Sequence, residues 1–405
     1  MQENRKHLVV IGLIVPESQS TAAGFRMLQL LELFKKWNYQ ITFLTSAQQT
    51  DFSDVIDFQR IAINDSSFDD VMRQLNPDVV LFDRYITEEQ FGWRVAETCP
   101  HAVRILDTED LHFLREARKL AFKQHKKCND AYLYNPIFYR EIASILRCDF
   151  SLIISEYEHQ LLTDKFNIQA GQLFYIPFLW EKCDFTPPGF EERQHFFSIG
   201  NFIHEPNWQT VLQLKNIWKD IRKQLPNTEL HIYGAYAGDK VQQLHNEKEG
   251  FIIKGRAKSS EDVFKKYRVL LAPIPFGAGL KGKLFESMKY GCPNVTSTIG
   301  AEGMNTNKFW NGFIYEDSKD FAKNAVDLYS SEEIWTQAQR KGYEILDLKF
   351  RRESFENPLK TKILEIESSL EQHRNHHFLG RLLQQNQLNA TKFMSRWIEE
   401  KNKKL

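Results

Sequence analysis

The sequence predicts an α/β protein of two doubly wound parallel sheets followed by a helical C-terminal extension. Three observations carry this. Apolar runs of strand length alternate with amphipathic helical segments; a proline-rich break near residue 185 is followed by a second such series; and strand signals stop beyond residue 350. The expected units are residues 1–185, 195–350 and 351–405.

In the first unit, Leu8–Val15 is a continuous apolar run, as a strand buried on both faces should be. A loop (16–21) leads to a helix over 22–37, with Phe25, Leu28, Leu31 and Phe34 as its apolar stripe. Strands at 41–45, 78–83, 103–107, 151–155 and 174–177 alternate with helices at 68–75, 88–98, 112–127, 136–147 and 156–165. Repeated strand–helix units give a parallel sheet.

Phe185–Arg193, with two prolines, a glycine and then charges, is the linker candidate. The alternation then restarts. Strands are expected at 195–200, 229–234, 250–255, 269–273, 294–297 and 312–315. Helices are expected at 208–225, 261–267, 320–329 and 332–346. Between the strand at 269–273 and Pro293 lies PFGAGLKGKLFESMKYGCP, with Gly277, Gly279 and Gly282 close together and Lys281 and Lys283 among them. Strand, glycine loop and helix start suit an anion cradle, since glycines let amides approach a phosphate, the helix N-terminus favours negative charge, and lysines add point charge; the same pattern also suits a plain strand-to-helix turn with solvated lysines. From Ser354 the chain is helical and polar. Its last segment, 391–402, has one apolar edge (Phe393, Met394, Trp397, Ile398) and is expected to pack on the body.

Composition narrows the function classes. With 53 basic and 53 acidic residues in 405, the chain has no electrostatic footprint for nucleic acid. Its five cysteines have neither zinc-site nor redox spacing, so free thiols in a reducing, cytoplasmic compartment are expected. The apolar run at 8–15 is too short to span a bilayer and lacks a cleavage site, which leaves peripheral contact at the inner face of a membrane open. No metal site is expected: the histidines of 371–377 lack further ligands at suitable spacing.

Two α/β halves with this loop resemble the nucleotide-sugar-dependent glycosyltransferases of family 4 (glycosyl transferases group 1). The resemblance is most specific over residues 268–304, extends to SIGNFIHEPN at 198–207, STAAGFRMLQL at 20–30, LDTEDLHFLR at 106–115 and CDFSLIISEYE at 148–158, and covers most of residues 7–345. It implies the GT-B fold, two Rossmann-like domains facing across a cleft, with the acceptor on the first and a UDP- or GDP-linked sugar on the second. It also implies retaining transfer to a glycan, lipid-linked or other hydroxyl acceptor, as in bacterial polysaccharide synthesis, without a cofactor or metal. No Asp-x-Asp pair stands in the chain. By the same resemblance, Glu286 binds ribose hydroxyls, the loop Gly277, Ala278, Gly279, Leu280, Gly282 faces the diphosphate and sugar, and Gly24 closes over the diphosphate with Arg26 beyond it. Gly200, Asn201, His204 and Asn207 complete the donor site.

Two departures stand out. The first Glu of the family's pair falls at Ala278, and the Arg and Lys expected after Gly200 are replaced at Asn201 and near Pro206–Asn207. Lys281 and Lys283 are the expected substitutes in stabilising the leaving diphosphate, Lys283 foremost. At strand ends of the first unit, Asp107 is expected to orient or deprotonate an acceptor hydroxyl, and Glu109 and His112 to contact acceptor or sugar. Asp110 is an alternative helix cap, and Asp83–Arg84 is open between ion pair and acceptor contact. Glu302 is open between donor contact and turn residue; Ser155 reads as a cap. The departures also motivate a second reading, a non-catalytic nucleotide-sugar-binding or assembly protein; a phosphorylase is weaker, because no lysine motif for a pyridoxal cofactor is evident.

Overall fold

The computed structural model describes residues 5–16, 22–47, 58–182, 186–306, 309–385 and 387–403. A seven-stranded sheet holds β1 (His7–Gly12), β2 (Gln40–Thr45), β3 (Phe58–Arg60), β4 (Val79–Asp83), β5 (Val103–Asp107), β6 (Phe150–Ile153) and β7 (Leu173–Tyr175), in the order β3-β2-β1-β4-β5-β6-β7. A six-stranded sheet holds β8 (Gln194–Ile199), β9 (Leu230–Tyr233), β10 (Phe251–Gly255), β11 (Tyr267–Ala272), β12 (Asn294–Thr296) and β13 (Gly312–Ile314), in the order β10-β9-β8-β11-β12-β13. Every pairing within both sheets is parallel. The two Rossmann-like halves are therefore as expected.

The physical basis is simple. β1, β4 and β5 are buried along their whole length, because helices cover both faces. Strand order reverses between β1 and β4 and again between β8 and β11. At such switch points the loops leaving neighbouring strands part and open a crevice beyond the carboxyl ends. Both crevices face the same cleft.

Two features of the connections differ from expectation. Arg193, at the end of the expected linker, is fully buried: its guanidinium donates to the carbonyls of Phe264, Tyr267 (3.2 Å) and Tyr290 (2.7 Å) and so fixes the start of the second half. The C-terminal extension returns to the first half. Trp180 N–H donates to Phe350 O (2.7 Å), Arg352 N–H donates to Trp180 O (3.0 Å), and Leu359, Ile363 and Ile366 of helix Glu353–Ser368 enter the first half's core. The halves are thus joined by two crossing segments side by side.

Boundaries shift locally. β1 ends at Gly12, and Ile14 beyond it is exposed. The edge strand β3 and the short helices Asp130–Leu133 and Asp239–Gln242 were not expected. Residues 391–402 do not pack on the body: every side chain from 389 to 402 is exposed. Helix Glu353–Ser368 already supplies the apolar cover that the first half takes from the extension.

Candidate active site

A cavity of about 530 Å³ lies between the halves. Its second-half wall is made by the loops after β8 and β11, each of which runs into a helix. Helix Glu205–Gln224 follows the β8 loop, with Pro206 suited to a first turn whose amides need no helical partner. Helix Gly282–Lys289 follows the glycine loop. Two helix N-termini thus point at the same space, and both favour an anion.

Both lysines are in this wall. Lys283 Nζ donates to Asn207 Oδ1 at 2.9 Å, tying one helix start to the other. Lys281 Nζ donates to the carbonyls of Gly279 (2.7 Å) and Ala278 (3.2 Å), bracing the loop that carries it. Burial lowers both ammonium pKa values to about 8; Glu302 pulls Lys281 back up, and Glu286 does so for Lys283. Each is charged at pH 7 while poorly hydrated, the condition in which a cation gains most from an incoming diphosphate. Glu286, one turn into the helix, accepts from Ser260 Oγ at 2.7 Å, and burial raises its pKa. Ser260, Arg256, Ala257 and Gly234 line the cavity beyond it, off the ends of β9 and β10.

The first half contributes Arg84, Glu109, Asp110, His112 and Arg115. Asp110 accepts from Arg115 Nη1 at 2.6 Å, and despite the opposing effect of burial its pKa is lowered to about 2 by the charges of Arg115 and His112. His112 and His204 are pushed down to about 4 by burial, so both imidazoles are neutral at pH 7. Glu109 is buried with φ +62° and without a hydrogen-bond partner for Oε1; burial and neighbouring Asp107 raise its pKa well above the usual carboxylate range. A non-glycine residue in this conformation beside a cavity is strained, and such strain clusters at functional sites.

Contacts missed in the sequence join the halves. Glu158 Oε1 accepts from Leu111 N–H (3.0 Å) in the first half and from Gly279 N–H (2.7 Å) in the glycine loop. Arg118 donates to both carboxylate oxygens of Glu302 (2.7 and 2.8 Å) and to Gly277 O (2.8 Å). Gly279 has φ +61°, and a Cβ there would lie 2.7 Å from Asp110 Cβ, so a side chain would hold the halves apart.

Residues 193–331 match the family model Glycosyl transferases group 1. No curated protein matches by sequence. Solved structures show the whole architecture. Sucrose-phosphate synthase from Thermosynechococcus elongatus is similar at TM-score 0.67 and 13% identity, over 90% of this chain and 100% of its own. The pneumococcal O-GlcNAc transferase GtfA, in complex with UDP and GlcNAc, gives 0.65 and 12% over 90% and 99%. HepE from Anabaena, in complex with UDP and glucose, gives 0.63 and 12% over 89% and 100%. The fold is GT-B.

On this GT-B frame, Gly200, Asn201, His204, Asn207, Gly277, Ala278, Leu280, Lys281, Gly282, Lys283, Glu286, Glu109 and His112 all line the cavity. Five expected residues do not. Asp107 is fully buried and accepts from Arg26 Nε at 3.1 and 3.2 Å, while Arg26 also donates to Ile176 O. This pair ties helix Ala22–Lys36 to β5, so neither residue is a direct acceptor contact. Asp83 is buried beside Arg84 (3.8 Å) and does not line the cavity, whereas Arg84 does. Gly24 lies within helix Ala22–Lys36, where Ala22, Ala23 and Phe25 present the cavity face instead. Gly279 directs its amide to Glu158, so that amide is not free for a phosphate. Of the remaining readings, Glu302 pairs with Arg118, the Ser155 side chain makes no cap bond, and Glu141 rather than Asp110 accepts from the amides of His112 and Phe113 at the start of helix His112–Lys123. Among the described residues no group of three or more His, Cys, Asp and Glu is placed to hold a metal ion.

Proposed function

We propose that the protein is a retaining glycosyltransferase of the family 4 type that uses a nucleotide-diphosphate sugar without a metal. The observation that carries the reading is the wall described above: two helix N-termini and two half-buried, charged lysines converge on one space, beside a carboxylate placed for a ribose. In this reading Glu286 and Ser260 hold the ribose, and the base extends toward Ala257 and Gly234. The diphosphate lies against Gly200, Lys281 and Lys283, and the sugar faces Glu109 and His112. That GtfA and HepE were solved with UDP and a sugar supports a UDP-linked donor.

Transfer then breaks the bond between the sugar's anomeric carbon and the diphosphate oxygen and forms one to an acceptor hydroxyl on the same face. The hydroxyl proton leaves with the diphosphate, since Asp107 does not reach the cavity. Lys281 and Lys283 neutralise charge that grows on the leaving oxygen, in a closed cleft where each interaction is strengthened. Neutral His112 donates to or accepts from a sugar hydroxyl. The acceptor, a glycan or a lipid-linked hydroxyl of bacterial polysaccharide synthesis, enters from the first half, on the cytoplasmic side with peripheral contact to the membrane.

A non-catalytic sugar-nucleotide-binding protein is the second reading. It is favoured by Ala278, which packs into the first half's core and supplies no carboxylate. A panel of UDP- and GDP-sugars separates the two. Turnover or slow donor hydrolysis, unaffected by EDTA, supports the enzyme; thermal stabilisation without turnover supports the binder; neither effect refutes both.

A further inference from the structure

The C-terminal segment presents the largest concentration of exposed apolar side chains among the described residues. Helix Leu370–His376 is fixed to the first half: Arg374 donates to both carboxylate oxygens of Asp149 (2.7 and 2.8 Å) and His373 lies 2.7 Å from Asp149 O. Helix Phe378–Gln385 is docked on one side only. Gly380 is buried there, and a Cβ on it would lie 2.3 Å from Leu146 O. The opposite side presents Phe378, Leu379, Leu382 and Leu383, with Phe378 and Leu382 61% and 62% exposed. Helix Gln387–Lys403 follows, with Phe393, Met394, Trp397 and Ile398 at i, i+1, i+4, i+5 spacing on one face, the first three 58–61% exposed. Lys392 and Arg396 fall on the opposite face at helical spacing.

Charge identifies what covers this surface. Residues 378–405 hold six lysines and arginines against two glutamates, a net charge of +4 in a chain that is neutral overall, so the rest carries −4. A second copy of the segment would set +4 against +4. An anionic lipid surface accepts both features: the apolar face enters the acyl boundary, and the basic residues meet the headgroups. No helix among the described residues is long and apolar enough to cross a membrane, so the segment lies along the surface. We propose that helices Phe378–Gln385 and Gln387–Lys403 form an interfacial anchor that seats the first half on an anionic membrane. This gives a location to the membrane contact of the proposed function; the anchor itself requires no donor chemistry.

The test is sedimentation of the full chain with vesicles of phosphatidylcholine alone and of about 30% phosphatidylglycerol. We expect binding to the anionic vesicles only, release at high salt, and loss of binding by about tenfold or more in F393S/W397S. K392E/R396E should weaken binding while leaving the apolar face intact. Thermal stabilisation by UDP should be the same in all variants, which shows that they fold and keeps the two claims apart: vesicle binding without UDP binding sinks the donor reading alone. Failure to sediment with anionic vesicles overturns the anchor. So does equal binding by F393S/W397S, or a wild-type dimer that this variant converts to monomer.

Discussion

Replacing Lys283 by alanine isolates the cation on which the proposed chemistry depends. Its side chain is half-buried, its ammonium bonded to Asn207 at 2.9 Å at the start of helix Gly282–Lys289. Two unit charges about 4 Å apart at an effective dielectric of about 20 attract by roughly 4 kcal/mol. Part of that is already present with bound donor; the part that grows as the diphosphate leaves lowers the barrier. Loss of such a group elsewhere costs about 100- to 1000-fold in kcat, and that range is expected here. Folding should not suffer. The folded-state pKa of about 8 is below the ordinary lysine value of 10.5, so at neutral pH the charged form opposes folding, and the variant should melt at or above the wild-type temperature. Steady-state rates with saturating donor, beside a melting curve, give both quantities. Turnover within about threefold of wild type in both Lys283→Ala and Lys281→Ala would refute the assignment, since the cavity wall offers those two lysines for the role.

Other expectations rest on separate contacts. Diphosphate binding should weaken as pH rises above about 8, by up to about tenfold per pH unit for each lysine, because each must then take up a proton to bind; titration calorimetry with UDP at pH 7 to 10 measures this, and a flat profile would remove the lysines from the site. Glu286→Gln should weaken UDP binding by about 10-fold or more with a smaller effect on turnover of bound donor, as loss of a charged hydrogen bond predicts; unchanged affinity would move the ribose elsewhere. Arg118→Met leaves Glu302 and Gly277 O without their cross-cleft donor and should open the cleft, read as a larger radius of gyration in solution scattering and a lower kcat; an unchanged radius would show that Arg118 does not hold the halves together. Gly279→Ala should destabilise the protein by about 1–3 kcal/mol in denaturant unfolding, since φ +61° and the approach of Asp110 both oppose a side chain.

Much of the frame was legible in the sequence because it rests on local pattern. Leu8–Ile11 and Val79–Phe82 read as buried parallel strands, and in the structure they pair with each other. The β11–helix segment read as an anion cradle because glycine and lysine placement is itself the mechanism. What failed depends on distant partners. Asp107 looked like a catalytic carboxylate at a strand end, yet Arg26, 81 residues away, occupies it. Glu158 looked like a helix-start residue, and its partners at Leu111 and Gly279 lie 47 and 121 positions distant. Arg118 and Glu302, 184 apart, carry no local signal of pairing. The apolar edge of residues 391–402 was legible, but the sequence does not say whether an amphipathic face meets the protein's own body.

The central claim is that the cleft between the halves is a nucleotide-sugar site with its diphosphate on Lys281 and Lys283. A crystal structure of the protein with UDP tests it most directly. The account predicts ribose oxygens within hydrogen-bond distance of Glu286 and phosphate oxygens within reach of Lys283 Nζ and the helix start at Gly282. Ordered UDP elsewhere, or in the cleft with its phosphates turned away from both lysines, would contradict it.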